Sequence, residues 1–259
     1  MRDKTGMKLR KYSWELALSI SLILATVVIY LLKILIIGDS GESNTLTYIF
    51  NALGFLPLNV LLVTLIINGL LSMRAKKEQQ EKMKMIIGLF FSELGTDLLR
   101  IIGRCNTEKN ALAEIMNITS SWKKDEYAEA ARKLTVYREN LRPSAEELEL
   151  LRNLLNEKHE FLLRIVENPV FLEGESNTEL MRALFHLGEE LSSREDISNL
   201  PASDTAHLTG DVKRVYRPLI GLWLSHMEYL SKYYPYLLSF SIRKNPFVER
   251  TDTVVRENS

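Results

Sequence analysis

Residues Trp14 to Ile37 read "WELALSISLILATVVIYLLKILII", with apolar or small residues unbroken from Leu16 to Leu32. At roughly 1.5 Å per residue that core makes about 25 Å of helix, and its flanks extend it past the ~30 Å hydrocarbon layer of a bilayer. A second run, Tyr48 to Leu71, "YIFNALGFLPLNVLLVTLIINGLL", is again long enough to cross. Lys33 sits near the end of the first run, where its ammonium can reach the headgroups. The spacing predicts a transmembrane hairpin over 13–72, with spans at about 14–37 and 48–71. A cleaved signal peptide is the rival for the first run, but the apolar region is long for one and no A-x-A-like site follows it.

Arg2, Lys4, Lys8, Arg10 and Lys11 precede the first run, in a basic N-terminus at 1–12, and Arg74, Lys76, Lys77, Lys82 and Lys84 follow the second. The linker between them carries only Asp39 and Glu42, so the positive-inside rule predicts a two-pass protein of the cell membrane with both termini cytoplasmic. "GDSG" at Gly38 to Gly41 matches the fragment around the nucleophile of trypsin-like proteases. In so short a bridge, with no histidine beside it, it reads as a turn. The loop is also too small to form an external ligand-binding domain.

The rest of the chain is far more polar. Over the whole chain Lys+Arg and Asp+Glu number 33 each, which argues against a nucleic-acid partner held by bulk charge. One cysteine, Cys105, excludes an internal disulfide and reads as a small helix-face residue. Within the second span Gly54, Pro57, Asn59 and Asn68 are the unusual residues. Pro57 predicts a kink near Leu53, and Asn59 at mid-bilayer predicts an amide partner on the first span or on another copy. In the sharper reading, several copies place Asn59 and Asn68 along a pore.

Beyond the spans, 73–105 reads as a long juxtamembrane helix with the stripe Met83, Ile87, Phe90, Leu94, Leu98, Ile101 and Cys105. Gly88, Gly95 and Gly103 fall roughly on one side and predict close packing. Within it, "FFSELGTDLLR", Phe90 to Arg100, puts Glu93 and Asp97 four residues apart, two like charges on neighbouring turns. With Arg100 and Arg104 they form a row that sums to zero, which predicts a charge ladder setting register across an interface. A helical bundle is expected over 106–244, followed by a flexible tail at 245–259. Its stripes are Trp122, Tyr127, Ala131 and Leu134; then Leu148, Leu151, Leu155, Leu162 and Val166, opened by a capping box of Ser144 with Glu147; then Leu180, Leu184, Leu187 and Leu191. "SREDISNLPASDTAHLTGD" reads as loop. A last helix is predicted from Val212 to Arg243, bent at Pro218 and Pro235, with Leu219, Trp223, His226, Leu230, Tyr233, Leu237 and Phe240 inward. Ser225, Glu228 and Lys232 lie opposite. With His226, Glu228 and Lys232 inside it, this helix suits a bundle core better than a third span.

No P-loop, dinucleotide fingerprint, H-E-x-x-H or G-x-S-x-G elbow is present, so no enzyme activity and no cofactor are predicted. His159 and His226 fall on apolar stripes and His186 precedes Glu189 and Glu190 by about a turn. Three helices would have to meet to make a metal site of His159, His186 and His226, and core histidines are commoner. Glu93 and Asp97 lack a second carboxylate-histidine helix of E-x-x-H spacing to complete a di-metal set.

"FFSELGTDLLR" and "HMEYLSKYYPYLLSFSIRKNPF", His226 to Phe247, resemble segments of a group of uncharacterised prokaryotic membrane proteins with an N-terminal two-helix hairpin and a cytoplasmic helical domain. That resemblance implies an all-α fold in a prokaryotic cell membrane and implies no activity. The sequence therefore predicts a membrane-anchored, non-enzymatic interaction or scaffold module whose partners are the lipid bilayer and either another copy or a cytoplasmic protein. An oligomeric channel or membrane-permeabilising effector is the first alternative, and a histidine-based metal sensor or enzyme the second.

Overall fold

A computed structural model of the chain describes residues 3–37, 44–172 and 174–248. The turn expected at Gly38–Gly41 and the tail from 249 onward lie outside the described residues. The rest is helical, with no strand among the described residues, only one isolated antiparallel bridge between Asn106 and Leu141. The chain divides into two compact units, Met1–Glu78 and Gln79–Ser259.

The first unit contains α1, Asp3–Ile37, and the start of α2, Asn44–Phe90. The stretch Leu16–Ile36, 21 residues, and the stretch that opens at Thr47 are long and apolar enough to cross a membrane. Their large side chains point outward: Leu16, Ile20, Leu24, Leu31 and Leu35 on α1, and Leu56, Leu62, Leu65, Ile66 and Leu70 on α2, are all exposed. The two helices run antiparallel, because Tyr30 meets Gly54 while Lys33, one turn on, donates to the Asn51 Oδ1 one turn back at 2.8 Å. A Cβ at Gly54 would lie 2.7 Å from the Tyr30 ring, so only glycine admits that contact. α2 continues through Pro57.

The second unit is a helical bundle. The α2 helix ends at Phe90 and passes through a π-helical turn, Phe91–Gly95, into α3, Thr96–Arg104. Then come α4, Lys109–Ile115; α5, Lys124–Val136; α6, Ala145–Glu157; α7, His159–Glu167; α8, Pro169–Leu172; α9, Glu175–Ser192; α10, Ala202–Tyr233; and α11, Pro235–Arg243. Residues from Met83 onward of the expected juxtamembrane helix pack into this bundle. Ile87, Phe90, Phe91, Leu94, Leu98, Leu99, Ile102 and Cys105 are buried with Leu148, Leu151 and Leu155 of α6 and with Val215, Leu219 and Trp223 of α10. Ile101 and Met83 are only partly buried, packed at its edge.

The α9 stripe, Leu180, Leu184, Leu187 and Leu191, is buried throughout, and the Ser144–Glu147 capping box opens α6. In α5 it is Ala130, not Ala131, that is buried. α10 begins at Ala202, ten residues before the expected start, because Pro201 supplies the break that precedes a helix. Its inward row holds through Leu230 and then fails: Tyr233, Leu237 and Phe240 are exposed and Leu238 is buried instead. Tyr234, at φ −141° and ψ 65°, leaves the helix before Pro235, so α11 restarts with a new phase.

Candidate functional site

The row expected on the juxtamembrane helix is split by its surroundings. Glu93 lies 3.4 Å from Lys158 Nζ at the start of α7, while Asp97 pairs with Arg100 at 3.0 Å. Arg100 also donates to the Lys244 carbonyl at 3.1 Å beyond α11. Arg104 is exposed and lines, with Arg100 and Lys109, a cleft of about 270 Å³ over Tyr216 and Phe247. Glu93, Asp97 and Arg100 therefore make contacts inside the bundle, and at Asp97, 54% exposed, such a pair contributes little.

The glycines do not form one backbone-packing face. A Cβ at Gly88 would lie 3.4 Å from the His226 ring and one at Gly103 would lie 3.7 Å from the Tyr216 hydroxyl, both on α10. At Gly95 the nearest atoms belong to its own turn, the Phe90 and Phe91 rings at 2.7 Å. In the first unit, Pro57 is buried, Asn68 is half-buried, and Asn59 is exposed with no side-chain hydrogen bond among the described residues.

The three histidines singled out by sequence do not meet. His159 packs edge-on against Phe185 at 5.8 Å between ring centres, and His226 stacks on Phe91 at 5.4 Å. His226 is buried beside a cleft of about 230 Å³ lined by Gly88, Asp97, Arg100 and Lys244. Burial, reinforced by the Lys84 ammonium, pushes its imidazole down to about 4, so it is a neutral core ring at neutral pH. Cys105 is likewise inert, because burial pushes its thiol up to about 12.

Only His186 belongs to a cluster of potential ligands, and its companion is a histidine that periodicity did not single out. On α9, His186 and Glu190 are one turn apart; on the adjacent α10, His207 and Asp211 repeat that spacing. Residues at i and i+4 share a helix face, so the two packed helices aim four such groups at one another. His186 Nε2 is 3.9 Å from Glu190 and 3.5 Å from Asp211, and His207 Nε2 is 3.6 Å from Glu190 and 3.4 Å from Asp211. The ligand atoms of His186, Glu190 and His207 all fall within 4.8 Å of one another.

Two arginines hold the carboxylates. Arg194 grips Asp204 with both Nε and Nη2 at 2.7 Å and donates to Glu190 at 2.9 Å, which holds the Glu190 carboxyl below its usual range. Arg214 pairs with Oδ1 of Asp211. Reading 193–211 as loop hid His207 and Asp211. The signal was present as H-x-x-x-E at 186–190 echoed by H-x-x-x-D at 207–211.

Residues 79–243 match the family described as the C-terminal helical domain of the uncharacterized protein MJ1433, and residues 8–71 match that protein's N-terminal helical domain. The chain belongs to the MJ1433 family. MJ1433 of Methanocaldococcus jannaschii is 42% identical over 234 residues, covering 90% of this chain and 93% of that one. No solved structure matches the chain. The two family regions meet close to the division between the two compact units, and the His186–Asp211 cluster lies wholly within the C-terminal one. The expected all-helical architecture, with N- and C-terminal helical domains, is thus that of the MJ1433 family.

Proposed function

We propose that the chain is a two-pass protein of the cell membrane whose first unit is a lipid-embedded helical hairpin and whose second unit is a non-enzymatic cytoplasmic binding module. One observation carries this reading: the antiparallel pair of α1 and α2 presents large apolar side chains outward along both helices, far more apolar surface than a helix pair sustains in water. The basic residues on both flanks and the acidic linker set both termini on the cytoplasmic side. Some of the bundle's buried polar side chains serve its packing, which supports a binding module. Asn106, for example, donates to the Tyr137 hydroxyl, and Asn245 to the Met116 carbonyl.

Alkaline carbonate washing of membranes tests the anchor, and the protein should stay in the pellet. In a Cys105→Ser background, a Ser40→Cys label site should react with an impermeant maleimide from outside the cell. Release by carbonate, or labelling only after permeabilisation, would sink the reading.

A second reading concerns assembly. The apolar stripe of 83–105 is already covered by the bundle, so it offers little for pairing two copies. Asn59 is exposed on the hairpin with no hydrogen-bond partner among the described residues, and an amide in hydrocarbon gains by pairing with another copy. Native mass spectrometry from nanodiscs should give an oligomer that Asn59→Leu weakens; a monomer from the wild type would dispose of this reading and of a pore with it.

A further inference from the structure

We infer that His186, Glu190, His207 and Asp211 bind one divalent transition-metal ion of the zinc class, held between α9 and α10. This goes beyond the membrane-module reading and does not depend on it.

The distances carry the inference first. Each imidazole Nε2 lies 3.4 to 3.9 Å from two carboxylates. Charge-assisted hydrogen bonds between nitrogen and a carboxylate close to about 2.7–2.9 Å, so these four groups face one another without bonding. One atom each from His186, Glu190 and His207 lies within 4.8 Å of the others. Ligands at about 2.0–2.2 Å from one ion are themselves about 3.3–3.6 Å apart, a spacing to which that spread can draw in. Asp211 meets the two imidazoles through different oxygens, Oδ1 towards His186 and Oδ2 towards His207. Two helices each contributing a pair at i and i+4 can supply such a set without a loop.

The second observation is Asp211. It is 1% exposed, and its Oδ2, the oxygen 3.4 Å from His207 Nε2, has no hydrogen-bond donor. Arg214 engages the other oxygen. A buried carboxylate oxygen left unpartnered costs on the order of 1–3 kcal/mol or more, and a cation in front of it removes that cost. Asp211 thus closes the floor of the site, while His186 and His207, 45% and 51% exposed, leave an entry from solvent.

The carboxylates are also held from outside. Arg194 orients Glu190 and Arg214 orients Asp211, as groups around metal ligands commonly do. Mixed imidazole and carboxylate donors suit zinc, iron(II) or nickel(II) better than calcium or magnesium.

The test uses the full-length protein in detergent, stripped with a chelator and titrated with zinc chloride against a chromophoric competitor. One equivalent per chain should bind with a Kd below about 10 µM, and zinc should raise Tm. His207→Gln and His186→Gln should each weaken binding at least tenfold while circular dichroism stays that of a helical bundle. His159→Gln, outside the cluster, should leave it unchanged. Failure of the wild-type protein to take up stoichiometric zinc overturns the inference outright, without any variant having to fold. So does zinc affinity that survives both His186→Gln and His207→Gln, because the ion would then sit elsewhere.

Discussion

Acidification should weaken this protein through one ring. His226 lies in the core between Phe91 and Gly88, and burial, with Lys84 adding to it, holds its imidazole at about 4 against about 6.5 in an unfolded chain. The folded form therefore refuses a proton that the unfolded form accepts. Stability is full above the unfolded value and is lost as pH falls towards the folded one. The linkage gives about 2 kcal/mol lost between pH 7 and 5, approaching about 3 kcal/mol near pH 4. Carboxylates held low by partners, Glu190 and Asp204 by Arg194 and Glu147 by Ser144, lose their contribution only at lower pH, where the unfolded carboxylates begin to protonate. The assay is denaturant unfolding of the full-length protein in detergent, with chelator present, followed by tryptophan fluorescence, to which the buried Trp223 reports. His226→Leu should flatten the slope between pH 7 and 5 by about 2 kcal/mol relative to wild type. If both proteins lose stability in parallel across that window, His226 is not the buried neutral base described here.

Other outcomes can be read on the same unfolding curves. Leu98→Ala, at a fully buried position where α3 meets the bundle, should cost about 2–5 kcal/mol. Ser144→Ala removes half of the capping box of α6 and should cost about 1 kcal/mol. Gly95→Ala should destabilise by about 1–3 kcal/mol despite alanine's better helix propensity, because its Cβ meets two buried rings at 2.7 Å that have nowhere to go. Asp97→Ala, by contrast, should shift stability by less than about 0.5 kcal/mol, since its pair with Arg100 is surface-exposed.

Long apolar runs and helical stripes made most of this fold legible. Leu180, Leu184, Leu187 and Leu191 repeat at the helical period with nothing to compete, and each is buried. Reading failed where local chemistry and tertiary context disagreed. The stretch 193–211 is rich in Ser, Asp and Pro, residues that compete with the backbone for hydrogen bonds, yet from Ala202 it is helix. Arg194 clamps Asp204 across the turn, a contact no periodicity reveals. That single misreading moved His207 and Asp211 off a helix, and the ligand cluster with them. At Pro235 the error is one of phase: a heptad count carried through a break assigns Tyr233, Leu237 and Phe240 to the core when the restarted helix turns Leu238 inward.

The like charges in "FFSELGTDLLR" have a related explanation. An α-helix stacks residues four apart on one face, which would set Glu93 directly against Asp97. Between Phe91 and Gly95 the backbone is π-helical, and the Thr96 hydroxyl donates to the Phe91 carbonyl at 2.7 Å, five residues back. The wider turn changes the phase of everything after it. Phe90 and Phe91 both go inward, Leu98 and Leu99 likewise, so the buried face is broader than a single α-helical stripe. It also leaves the two carboxylates with different neighbours, Lys158 for Glu93 and Arg100 for Asp97. Glycine at 95 is what lets both rings crowd that turn. These charges are thus arranged by the packing of this chain against itself.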